Sequence, residues 1–186
     1  FEVKNGQVLS FEVLNGKEIN TYIIVGLGKL EDQEQMRRAA ASVSRFLRQD
    51  KSKKYLINIS FAFSIEAKHL TSLVEGFCLT AYSFSKYKKT PVLPDSKVDV
   101  VVNCNVHAKE MMAAFKKGEI NSNAVYFARD IINESPSVLY PESLGAIIKK
   151  EFKNKTVSVQ VHDVNWLKKN NMGGILAVGQ GSAKKP

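Results

Sequence analysis

Cysteine is scarce: Cys78 and Cys104 are the only two among 186 residues, too few and too far apart for a disulfide framework or a zinc knuckle. They read as reduced, buried small hydrophobes, which makes a reducing intracellular compartment the expectation. Histidine is also sparse. His69, His107 and His162 match no metal-ligand spacing such as HExxH, so each reads as a surface or half-buried imidazole. No apolar run approaches the ~20 residues needed to cross a bilayer, which excludes a spanning helix. The opening FEVKNGQVLSFEV alternates apolar with polar residues and shows no signal-peptide pattern. It begins on Phe1 rather than Met, so the chain reads as a piece of a longer product. The nucleophile elbow GxSxG, the complete GxGxxG and GxxxxGK[ST] are all absent.

What is present is ordinary globular material, 44% apolar and 24% charged. At ~150 residues per domain the length suggests one domain and part of a second. Lys and Arg number 27 against 18 Asp and Glu, a net charge of +9. The basic pairs, from Arg37-Arg38 and Lys51-Lys53-Lys54 to Lys184-Lys185, are spread evenly and fall mostly at helix ends. Only the Tyr82–Lys89 stretch interleaves aromatics with lysines as a nucleic-acid surface would. A solvated surface is therefore the adopted reading, with nucleic-acid binding as the alternative.

Residues 8–14 and 19–25 are β-branched runs separated by Asn15-Gly16, which predicts a hairpin. Met36, Ala39, Ala40, Val43, Phe46 and Leu47 form one helical stripe, predicting a helix over 31–49 with acidic residues in its first turn. A strand at 55–61, a helix at 66–85, a break at Pro91 and Pro94, and a Val-rich strand at 98–104 follow. Strands alternating with helices give an α/β class: an N-terminal mixed sheet flanked by helices over 1–115. A long helix from Ala108 to about Asn133, with Gly118 as a candidate break, supplies a linker over 116–134. Residues 135–186 read as the truncated start of a second α/β domain. Within it we expect a helix from Pro141 to Phe152, a strand over 156–161, a short helix over 163–169 and a strand over 174–178.

Two glycine-rich places, Val25–Gly28 and Val178–Ser182, each follow an expected strand but complete no phosphate-loop pattern; structural glycines are the adopted reading. His162 and Asp163 are adjacent, so on a strand they would face opposite ways rather than form a catalytic pair. Arg129, Asp130 and Asn133 are the best polar organisers, expected to pin the Pro136 turn. Tyr82, Phe84 and Tyr87 read as core or domain-interface packing.

Four segments together resemble one family. Val74–Lys88 contains an EG…L..Y.F..YK pattern, and Ala128–Pro136 with Tyr140-Pro141 an AR.L.N.P….P pattern. Met172–Ser182, ending at Pro186, reads MG..L.VG.GS…P, and Val25–Gly28 adds a weaker match. The set is similar to the leucyl aminopeptidases, or cytosol aminopeptidases. The resemblance implies an N-terminal α/β domain joined by a long helix to a catalytic α/β domain, in a cytoplasmic homohexamer. It also implies a hydrolase that removes N-terminal residues, often leucine, with two divalent metal ions (zinc, manganese or magnesium). One metal would polarise the scissile carbonyl while the pair activates a bridging water. In the family a lysine, three aspartates and a glutamate hold the metals, assisted by a second lysine and an arginine near a bicarbonate. Those residues belong to the segments VGKG.TFD.GG and NTDAEGRL, neither of which occurs here. No catalytic, metal-ligating or cofactor-binding residue is therefore assigned to this chain, and the 186 residues alone are expected to be inactive. A DNA-binding or oligomer-assembly module is the alternative function.

Overall fold

A computed structural model describes residues 4–49, 54–61, 63–89, 97–153 and 156–186. Pro91, Pro94 and the lysines at 51 and 53 lie outside the described residues. The chain divides into two compact units, Phe1–Arg129 and Asp130–Pro186.

The first unit opens with the expected hairpin. β1 (Val8–Asn15) pairs antiparallel with β2 (Glu18–Val25) in unbroken register from Val8↔Val25 to Asn15↔Glu18. Gly16 takes the positive φ that the two-residue turn requires, 65°. α1 (Gln33–Gln49) follows. The Asp32 carboxylate accepts the Gln35 backbone N–H at 2.9 Å, satisfying one of the helix's orphan donors. β3 (Lys54–Ser60), α2 (Ala67–Ala81) and β4 (Lys97–Asn103) then form a strand–helix–strand crossover with the two strands parallel. Among the described residues the strands form one antiparallel and one parallel pair.

Two adjoining apolar clusters hold these elements. Met36 and Ala40 of α1 meet Leu73 of α2, flanked by Ile59, Phe61 and Phe77. Ile65 and Leu70 meet Ala114 of α3 (Ala108–Asn133), with Phe61 and Val102 alongside. Phe61 belongs to both clusters. Leu70 is fully buried, a placement that contributes about 2 kcal/mol.

α3 is one unbroken helix through Gly118. α2 is shorter than its periodicity suggested. It ends at Ala81, where Tyr82 leaves the helix with φ −56° and ψ 134°. Phe84, the last residue of the apparent stripe, instead packs edge-on against Tyr87 across a turn closed by Lys88 N–H to Ser85 O at 2.9 Å.

The second unit contains the end of α3, then α4 (Pro141–Glu151), α5 (Val164–Lys169) and α6 (Gly173–Gly179). Pro141 stands in the first turn of α4, and Ser143 Oγ accepts the Tyr140 N–H at 2.9 Å. Two expected strands are corrected here. Residues 156–161 lie in no ladder: their alternation suits a strand, but the described residues of this unit offer no partner strand. Residues 174–178 are helical, with Leu176 N–H bonded to Met172 O and Gln180 N–H to Leu176 O. A four-residue apolar run does not by itself distinguish strand from helix.

Candidate functional site

The glycine turn after β2 is filled from within. Gly6 N–H donates to Gly26 O at 2.8 Å, and Gly26 N–H donates to Gln7 O at 2.9 Å. The Asn5 amide donates to Leu27 O at 3.2 Å and Gln35 O at 2.8 Å, and its Cβ lies 3.4 Å from where a Cβ on Gly28 would stand. Gly28 has φ 63°. The turn needs glycine for shape, and Asn5 packs against it and ties it to α1. The second glycine-rich place begins within the last residues of α6 rather than after a strand, so it lacks the strand-to-helix cradle.

Each histidine has a local task. His69, nearly buried, accepts the Glu66 N–H on Nδ1 at 3.1 Å and so closes the start of α2. His107 offers its carbonyl to Met111 N–H at the start of α3. His162 stacks on Trp166 with ring centroids 3.8 Å apart, while Asp163 caps α5 by accepting the Trp166 N–H at 2.9 Å. His162 and Asp163 thus serve separate contacts. Near the starts of α1 and α2 lies an open hollow of about 600 Å³, lined by Glu31, Glu34, Arg37, Glu66, Lys68 and His69 among others. Its charges pair with one another or with neighbours: Lys68 with Glu66 at 2.7 Å, which holds the Glu66 carboxyl below its usual range, and Arg37 with Glu34 at 3.4 Å. Among the described residues no group of three or more His, Cys, Asp or Glu could hold a metal ion.

The densest polar construction is where α1, α2 and α3 cross. The Glu75 side chain is 9% exposed; its carboxylate takes Arg37 Nε of α1 at 2.6 Å and Asn121 Nδ2 of α3 at 2.7 Å. Hydrogen bonding to Glu75 is the main cause that raises the Arg37 guanidinium above its ordinary value. Beside it Gly76 lets α1 come close, since a Cβ there would run into Arg37 O. Gly118 does the same between α3 and α2, where a Cβ would stand 2.8 Å from both Thr71 O and Val74 Cβ. Thr71 Oγ1 donates to Ala114 O at 3.2 Å across that contact.

At its carboxyl end α2 has no basic residue of its own in the last turn. Its carbonyls are met from outside. Ser44 Oγ donates to Phe77 O at 3.0 Å, Tyr126 OH to Cys78 O, Arg129 Nη1 to Leu79 O at 2.8 Å and Arg48 Nη1 to Thr80 O at 2.5 Å. Arg129 also lies over the Tyr82 ring, which contacts the Tyr126 ring at 5.2 Å. Two guanidinium groups thereby face the negative end of the helix dipole. Burial raises both the Cys78 thiol and the Tyr126 phenol above their ordinary values, outweighing the Ser122 hydrogen bond that lowers the thiol. Sequence reasoning singled out Arg129 and Tyr82 but not their joint partner. The signal missed was an α2 carboxyl end without a cation of its own.

These residues lie in the segments that resemble the peptidase family. The N-terminal-domain model of the cytosol aminopeptidase family matches residues 1–91, and its catalytic-domain model matches residues 126–186. A probable cytosol aminopeptidase of Corynebacterium diphtheriae is 35% identical over 98% of this chain, and one of Ehrlichia ruminantium is 28% identical over all of it. The chain spans 35% and 37% of their respective lengths. The fold is shared with a solved structure of the bottromycin maturation enzyme BotP in complex with Mn, at TM-score 0.77 and 22% identity over the whole chain and 38% of that protein. With both domain models matched in order along it, the chain belongs to the cytosol aminopeptidase family.

Proposed function

We propose that this chain is the N-terminal portion of a di-metal aminopeptidase that removes N-terminal residues, leucine among them, from peptides. The observation that carries the reading is the ordered pair of family matches, 1–91 and 126–186. The curated relatives carry the same family name, and BotP is described with bound Mn, which supports a divalent metal. Because the described residues offer no metal-ligand group, we assign the ions to polypeptide other than these residues. The catalytic and metal-binding residues go with them. A homohexamer in the cytoplasm is part of the same proposal. No helix among the described residues is long and apolar enough to cross a membrane.

The nucleic-acid alternative gains no support. Arg37, Arg38, Arg48 and Arg129 are engaged by Glu34, Glu75 and helix carbonyls rather than gathered on a free face. The test of the peptidase reading uses the full-length protein, stripped of metal by chelation and assayed on leucine p-nitroanilide. Hydrolysis restored by Mn²⁺ or Zn²⁺ is the expected result. No hydrolysis with either ion contradicts the proposal.

A further inference from the structure

We infer that the carboxyl end of α2 is a latch for α3, through which the carboxyl half of α3 detaches as a local unit before the α1–α2 core opens. The inference goes beyond the peptidase reading and does not depend on it. α3 buries only small residues, Ala114, Gly118 and Ser122. Of its larger side chains beyond Gly118, Ile120 is 57% exposed and Val125 37%, and Tyr126 and Phe127 are only half-buried. Attachment there falls to polar contacts, Asn121 to Glu75, Tyr126 to Cys78 O and Arg129 to Leu79 O. α1, by contrast, is fastened to α2 by Met36, Ala40 and Leu73 in a buried cluster. Segments with little buried apolar surface and hydrogen bonds near solvent open at lower free energy than packed cores. Tyr126 and Arg129 belong to the stretch matched by the catalytic-domain model. The latch is therefore where polypeptide of that domain holds the N-terminal domain's central helix, chiefly through charge against a helix end.

Hydrogen exchange of the intact protein, resolved by peptide, tests this on Arg129→Met, Arg129→Lys and Tyr126→Phe. Arg129→Met should speed exchange over 119–129 by about tenfold or more, the loss of one charged hydrogen bond. Arg129→Lys should fall between it and the parent, keeping the charge without the planar fork. Amides of 36–44 and 70–77 should exchange at the parent rate in both. Should Arg129→Met not fold, Tyr126→Phe carries the same test with about a fivefold effect, as for one neutral bond. Unchanged exchange over 119–129, or equal acceleration there and in the α1–α2 core, overturns the latch.

Discussion

Glu75 and Gly76 stand side by side and do opposite things at one helix crossing: one fills it with charge, the other leaves room. Adding a methyl at Gly76 pushes it against Arg37 O, so Gly76→Ala should lower stability by about 2–3 kcal/mol, read as a shift in the urea midpoint. Glu75→Ala strands Arg37 and Asn121. Because the Arg37 side chain is 33% exposed and regains water, the expected cost is about 2 kcal/mol rather than that of a fully buried pair. In a double-mutant cycle with Arg37→Ala the two losses should sum to more than the double variant shows. Tyr126 gives a pH signature. Burial raises its phenol, so the folded chain keeps that proton longer than the unfolded chain does. Its stabilisation is full below the ordinary phenol value and is lost as pH rises from there through the raised value. Melting temperature should therefore fall more steeply above about pH 10 in the parent than in Tyr126→Phe.

Among the elements, those with two independent signals were legible in the sequence. The hairpin had β-branched runs and Asn15-Gly16; α1 had a six-residue stripe and an acidic first turn; α4 had Pro141 at its start. Two single signals failed, while the Val-rich run at 98–104 did form a strand. The alternation at 156–161 and the short apolar run at 174–178 were each consistent with a strand, yet a ladder exists only where a neighbour pairs with it. The carboxyl cap of α2 was illegible for a related reason: its donors stand 32 or more residues away in sequence, on α1 and α3. α5 is the opposite case, a six-residue helix held at its start by Asp163. Too short to persist by propensity alone, it should lose about 1 kcal/mol of local stability in Asp163→Ala. The check is faster amide exchange over 164–169.

For the molecule as a whole, two of the motifs that carry the family resemblance fall at contacts that hold these helices together. Glu75-Gly76 sits at the α1–α2–α3 crossing, and Arg129 at the α2 carboxyl end. The chemistry was not readable from these positions, since the polar residues described here are engaged in holding helices together. In the proposed function, hydrolysis belongs to a longer protein and not to these residues. The most direct measurement compares residues 1–186, purified alone, with the full-length protein on the same leucyl amide in the presence of Mn²⁺. Leucine release by the full-length protein, and none above background by residues 1–186, is the expected result. Metal-dependent turnover by the purified 186-residue chain would contradict it.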